Sequence, residues 1–293
     1  MKLTSRQLKY LQTLKSDHDR LKAGKDSLLA LLTEAELPEM VYNSNAIENS
    51  TLTLPDTEKI LLDQGVSRDL NLREVYEAKN LARLNEYMHA KAIITDITPD
   101  LIKFIHQILI GVINDSIAGR FRASGEYVRV GTHIAPAPEQ VEGMIQNALA
   151  EFNSQHTLHF LDQIARFHLE FETIHPFNDG NGRVGRILIN WQLARLGFPP
   201  IIIRNKGKEK YYNTFGEYRY SQRIDGLTYL LYLALAESLH KRLAYLRGDS
   251  IIFLSEYAKD QGVISPIVFN KARRQTIPAF REKGVWKIGV KTI

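Results

Sequence analysis

From residue 3 to residue 32 the chain sets apolar side chains three or four positions apart among lysine, arginine, aspartate and glutamine, the period of a helix with one buried face. The same period returns over 71–88, where Leu72, Val75, Ala78, Leu81, Ala82, Leu84 and Asn85 mark one stripe. It returns again over 101–113, which Pro99 and Asp100 open and Leu101, Ile102, Ile105, Ile108, Leu109 and Val112 line. Segments 138–152, 161–174, 183–196 and 227–246 read the same way. Such faces bury themselves against one another, so the spacing predicts a mainly α fold, a helical bundle. Two stretches depart from it. Residues 126–134 alternate and are rich in β-branched side chains, with Gly131 inside and Pro136 and Pro138 after, which predicts a short β-hairpin. Residues 250–293 mix short helical stretches with a strand-like run from Gly284, and the boundary before them falls at Arg247-Gly248-Asp249.

Composition narrows the class. The 293 residues are 44% hydrophobic and 24% charged, enough for a packed core and too apolar for disorder. Cysteine is absent, which excludes a disulfide scaffold, a thiolate metal site and a cysteine nucleophile. No apolar run reaches the roughly 18 residues a membrane span needs. The first residues lack the apolar stretch of a secretory signal, so a cytoplasmic protein is expected, with no membrane partner. Charge is distributed unevenly. From Ser250 onward eight Lys/Arg face three Asp/Glu, which accounts for the entire formal excess of +5. The body is neutral and the tail basic, as a partner of polyanionic surface would favour.

The densest polar cluster runs from His175 to Arg186, between two helical segments. A loop that ends at a helix start presents free backbone N–H groups and the positive end of the helix dipole, a site for anions. Gly180 and Gly182 allow close approach and positive φ. Arg183 and Arg186 stand three apart on the following helix, so one face carries both. Asp179 is a hard oxygen ligand suited to Mg²⁺ bridging phosphates, and His175 is placed to act as a base. Singly, each has a plainer explanation: a structural histidine, an ordinary turn, a solvated pair of arginines. A loop serving stability alone has no use for all of them together. Gly180, Gly182 and Gly185 also fit the spacing of a dinucleotide-binding turn, but that turn follows a strand and the segment before His175 is helical. The Walker A, His-Glu-x-x-His and Gly-x-Ser-x-Gly patterns are absent.

The run His175–Arg186 resembles the signature of the Fic family at every fixed position. Resemblance extends over about residues 42–246, through Ser44–Asn49, Gly119–Arg122, Val130–His133 and the pair Tyr211-Tyr212. Most Fic proteins move AMP from ATP to a protein hydroxyl. The resemblance implies a Fic helical core with a hairpin flap, and it implies roles. His175 would take the proton from the attacking hydroxyl. Asp179 would hold Mg²⁺, while Gly180, the Asn181 side chain, Gly182, Val184 and Gly185 would surround the phosphates of ATP. Arg183 and Arg186 would neutralise the outer phosphates with bidentate donors. Phe177 would anchor the loop in the core. Val130, Gly131, Thr132 and His133 correspond to the flap, which pairs with an extended segment of the target protein. Tyr211 and Tyr212 correspond to nucleoside contacts, while Arg219 stands where some relatives carry asparagine. Ser44, Glu48 and Asn49 fit the family's inhibitory pattern, with Glu48 pairing Arg186 so that ATP sits unproductively. In some relatives the same glutamate aligns water for AMP removal. A homodimer that tunes the inhibition follows from resemblance alone.

The tail resembles a winged helix-turn-helix, with Asn270, Lys271, Arg273 and Arg274 on its second helix and a wing around Gly284–Lys287. The expected organisation is an N-terminal helical region over 1–95 carrying the inhibitory motif at 44–49, a Fic catalytic core over 96–247 and a small C-terminal winged-helix-like domain over 250–293. The leading expectation is an autoinhibited protein adenylyltransferase using ATP and Mg²⁺. The alternative is a DNA-binding transcriptional regulator whose Fic pocket senses nucleotide.

Overall fold

The 3–32 stripe folds as two helices because Gly24, at φ +72°, ends the first. Helix α1 (Ser5–Lys22) begins at a reciprocal cap between Thr4 and Gln7, and α2 (Asp26–Ile47) starts afresh and runs well past residue 32. It carries Pro38 within it; the carbonyl left without an N–H, that of Glu34, sits at an exposed position. Residues 2–64, 69–154 and 158–291 are described by the computed structural model. The remaining body elements are α3 (Leu54–Leu61), α4 (Leu72–Lys91), α5 (Pro99–Ile110), α6 (Pro138–Ser154), α7 (Phe160–Ile174), α8 (Asn181–Arg195), α9 (Lys208–Ser221) and α10 (Asp225–Arg247). Strands β1 (Arg129–Val130) and β2 (His133–Ile134) form the antiparallel hairpin, with Val130 opposite His133.

Helices α3 and α9 lie outside the predicted set. A capping box of Thr53 and Asp56 starts α3. Helix α9 buries Tyr211, Thr214, Phe215 and Tyr218, a helical stripe disguised by hydroxyls and by the charges between them.

Two hydrophobic cores meet across α7 and α8. Phe167, Phe171 and Ile174 of α7, with Val184, Leu188 and Trp191 of α8, join the core built with α4, α5 and α6. Leu161, Ile164 and Leu169 of α7, with Ile189 and Leu193 of α8, join the core built with α1, α9 and α10. Both helices are thus buried on two sides, and the loop between them, residues 175–180, hangs from the most constrained part of the molecule. Among the described residues no helix is long and apolar enough to cross a membrane.

The tail forms β3 (Ser250–Phe253), α11 (Leu254–Asp260), α12 (Ser265–Arg273), β4 (Ala279–Glu282) and β5 (Val285–Val290). Its antiparallel sheet runs in the order β3-β5-β4 over a small core of Leu254, Ala258, Val268, Ala272, Ala279 and Ile288. The tail does not stand apart. The β4–β5 turn donates the N–H groups of Lys283 and Gly284 to Glu39 of α2, at 3.0 and 2.8 Å. Glu39 also pairs with Arg204, Arg204 with Glu237 of α10, and Glu237 with Arg281 of β4, all largely buried. The turn expected to project as a wing therefore faces the body.

Candidate active site

His175 ends α7 in the left-handed region, φ +49°, unusual for a residue with a Cβ. Arg122, 4% exposed, holds that conformation: its Nε donates to the His175 carbonyl at 2.9 Å and its Nη2 to those of Pro136 and Ile174. Burial pushes the His175 imidazole down to about 4, so it is neutral near pH 7 and able to accept a proton. Phe177 is fully buried and stacks on His106, ring centres 3.7 Å apart. His106 donates from Nε2 to the Asp179 carbonyl and accepts the Gly119 N–H at Nδ1, at 3.0 and 3.1 Å. Burial holds it neutral as well, at about 4. Gly180 then turns the chain at φ +82°, where a side chain would crowd Leu109 and Ile110, and α8 begins.

His175 projects into a cavity of about 410 Å³. Gly182 and Arg186 of α8 line one side, Glu48 and Asn49 another, Val130 and Gly131 of the hairpin a third, and Tyr212, Phe215 and Arg219 of α9 the remainder, with Glu172. The volume suits a small-molecule ligand. Arg186 is 7% exposed; its Nη2 donates to Glu48 Oε1 and to the Ser44 carbonyl, both at 2.8 Å, and its Nε to Ser44 Oγ at 2.9 Å. Its Nη1 has no partner among the described residues, leaving one buried donor for a ligand. The space above Gly182 is filled by Glu48, since a Cβ there would lie 2.1 Å from Oε1. His133 ties the hairpin to α7 by an Nε2 contact with the Thr173 carbonyl at 2.9 Å.

Asp179 and Arg183 lie outside that lining, in a second polar cluster. Arg183, 3% exposed, contacts Glu77 at 3.1 Å and Asp179 at 3.2 Å, and Arg73 of α4 reaches both Glu77 and Asp179. No group of three or more His, Cys, Asp or Glu side chains surrounds a point among the described residues. Of the two acids in this cluster Asp179 is the more exposed, and a single accessible carboxylate fits Mg²⁺, which takes one or two carboxylates and completes its shell from substrate phosphates and water.

The other expected site residues are placed as follows. The Asn181 amide accepts the Phe177 N–H at 2.9 Å and donates to its carbonyl at 2.8 Å, so the side chain braces the loop; its backbone N–H belongs to the first turn of α8, which has no intrahelical acceptor. Tyr211 is 2% exposed and bonds His168 Nε2 at 2.6 Å, which removes it from stacking on a nucleoside. Tyr212 remains at the cavity, its hydroxyl donating to the Ile47 carbonyl at 2.7 Å. Val184 is a core residue, and Gly185 makes room for His168 and Glu172, whose atoms lie 2.7 and 3.0 Å from where a Cβ would be. Thr132 is exposed at the hairpin tip. Arg183 and Arg186 share a helix but reach different partners.

Sequence reasoning missed Glu172, His106, Arg73 and Glu77. Two of them carried a signal: Glu172 and His106 are polar residues at stripe positions of helices whose stripes are otherwise apolar, His168 on α7 excepted. Glu172 lies 3.9 Å from His175 Nδ1 and 3.9 Å from His168 Nε2, with Oε1 unpartnered among the described residues. Burial, reinforced by the Glu48 charge, pushes its carboxyl up to about 8.

Residues 96–193 match the family model of the Fic/DOC family. The protein adenylyltransferase Fic of Drosophila yakuba is 34% identical over 208 residues, 69% of this chain and 42% of that protein. The chain thus spans about two fifths of the length of the curated relatives it matches. At the level of fold, a Fic-domain-containing signalling protein from Bacteroides thetaiotaomicron superposes with a TM-score of 0.74 at 24% identity, covering 82% of this chain and 97% of that one. A Fic family protein from Desulfovibrio desulfuricans covers 100% of this chain and 98% of its own, with a TM-score of 0.65 at 19% identity. Family model, relatives and fold agree with the loop between α7 and α8, and the chain carries a Fic/DOC-family domain over residues 96–193.

Proposed function

We propose that the chain is a protein adenylyltransferase that moves AMP from ATP to a Ser, Thr or Tyr hydroxyl of a target protein. One observation carries the reading: a neutral, buried imidazole (His175, at the end of α7) and a buried guanidinium (Arg186, in the second turn of α8) converge on a single cavity at the start of α8. There the hydroxyl oxygen attacks the α-phosphorus, the new O–P bond forms, and the bond to pyrophosphate breaks. His175 Nε2 or Nδ1 takes the hydroxyl proton as the bond forms. The first-turn amides of α8 and Arg186 stabilise the charge on the phosphates. Asp179 would hold Mg²⁺, which when bound supplies further neutralisation of the triphosphate. The edge of β1–β2 would receive an extended segment of the target.

In this reading 96–247 is the catalytic core and 1–95 the regulatory region. Glu48 occupies Arg186 and the space over Gly182, so a triphosphate docks without its outer charge matched, and the protein is held inactive. The same carboxylate is placed to orient water for AMP removal. Transfer of label from α-labelled ATP onto protein tests the assignment. His175→Ala is expected to abolish transfer and Glu48→Gly to raise it at least tenfold; label persisting in the alanine variant removes the enzyme reading.

A second reading rests on α12. Asn270, Lys271, Arg273 and Arg274 are exposed, and the β3-α11-α12-β4-β5 order is that of a winged helix, so the tail is a candidate DNA-binding unit of a regulator.

A further inference from the structure

Arg73 begins α4, more than a hundred residues from the loop it touches, and no part of the linear signature points to it. Its Nε donates to Glu77 Oε1 at 3.1 Å and its Nη2 to Asp179 Oδ2. The other Asp179 oxygen receives the Gly180 N–H at 2.6 Å and Arg183 Nη2 at 3.2 Å. Arg183 in turn reaches Glu77 at 3.1 Å. Two acids and two guanidiniums therefore close a ring, and both Asp179 oxygens are engaged. The two arginines are not equivalent: the Arg183 side chain is 3% exposed and packed in place, whereas that of Arg73 is 54% exposed.

We propose that Arg73 stands in for the divalent cation at Asp179 and must be displaced for the cation to bind, so that it sets the protein's affinity for the metal. The inference rests on the reading of Asp179 as a metal ligand and goes beyond it. A cation of charge +2 at Asp179 Oδ2 and the Arg73 guanidinium repel each other across one oxygen, and Arg73 is the partner free to yield. On leaving Asp179 it keeps its Nε contact with Glu77. That contact matters for the neighbouring residue: with Asp179 neutralised by the cation and Glu77 still neutralised by Arg73, Arg183 can turn to phosphate. The ring thus passes from one set of pairs to another with every charge still matched. Arg73 itself touches no reacting atom and acts as a positioning residue.

The test reads metal binding directly. Mn²⁺ is titrated, with free ion followed by electron paramagnetic resonance, into the full chain carrying Glu48→Gly and saturated with α,β-methylene ATP. Adding Arg73→Gln is expected to tighten Mn²⁺ binding about two- to fivefold, the range for loss of an exposed ion pair, and Arg73→Lys to fall between. The gain should shrink as salt rises from about 0.05 to 0.5 M, since the competing pair is exposed. Equal or weaker Mn²⁺ binding by the Arg73→Gln protein overturns the proposal. Asp179→Asn separates the two levels: Mn²⁺ retention unchanged by it removes the metal role of Asp179, whereas its loss alongside an unaffected Arg73→Gln removes only the competition. Thermal unfolding of each variant, expected to match the parent, shows that the exposed arginine has no part in the fold.

Discussion

A carboxyl set on α7 between two imidazoles, almost out of reach of water, does not titrate as it would on a surface. Glu172 keeps its proton to about pH 8, while the unfolded chain loses it near 4.5. Between those values the folded protein binds the extra proton, so stability falls as pH rises, by at most about 1.4 kcal/mol per unit. His175 has the opposite sign. Its folded value near 4 lies below the unfolded 6.5, so its contribution is complete above pH 6.5 and is lost as pH falls toward 4. Glu172→Gln removes the first slope and leaves the second. Melting temperatures taken from pH 5 to 9 are expected to show the variant gaining on wild type as pH rises and exceeding it at the alkaline end. Parallel curves for the two proteins would show that Glu172 ionises normally.

At the scale of elements, α2 connects distant parts of the fold. Its C-terminal end delivers Ser44 and Glu48 to Arg186, and its middle delivers Glu36 and Glu39 to the guanidiniums of Arg242 and Arg204. Both carboxylates are buried; removing Glu39 leaves Arg204 with Glu237 alone and the Lys283 and Gly284 N–H groups without their acceptor, a loss of about 1–3 kcal/mol. Glu39→Ala is expected to lower stability by that order in denaturant titrations and to speed amide exchange over residues 40–48. Exchange there unchanged would mean the two ends of α2 are held independently. The sequence displayed the helices themselves well, because apolar spacing reports one buried face. It concealed the break at Gly24, where two helices share a compatible period, and α9, whose buried face is built from tyrosines. The site divided the same way. His175 to Arg186 is legible as one contiguous run. Which side of that run meets the cavity is not, because it depends on what packs behind it: Asn181 turns inward to Phe177, and Tyr211 to His168. Arg73 and Glu77 reach the loop only through tertiary packing of α4 on α8, which no local spacing encodes.

For the whole molecule, six of the eight basic residues of the tail separate into two populations. Arg281, Lys283 and Lys287 pair with Glu237, Glu58 and Glu282, holding the tail to the body and to itself. Lys271 and Arg273 of α12 and Arg274 at its C-terminal cap remain exposed. If the tail holds DNA, it does so through α12, and reversing these three charges is expected to abolish retention and flatten the salt dependence, whose slope is about 0.9 per phosphate contacted. Retention unaffected by the reversal would exclude α12 as the contact.

The docking of the β4–β5 turn on Glu39 bears on how the chain is dissected. Cutting after Gly248 looks like a clean way to isolate catalysis from whatever the tail does. It would instead strip Glu39 of two of its donors and deprive Glu237 of Arg281, baring charged groups along the flank of the rod that ends in Glu48. On the proposed reading, a shortened protein that runs faster would then report a loosened brake as readily as a missing module, and only point changes on α12 keep the two apart.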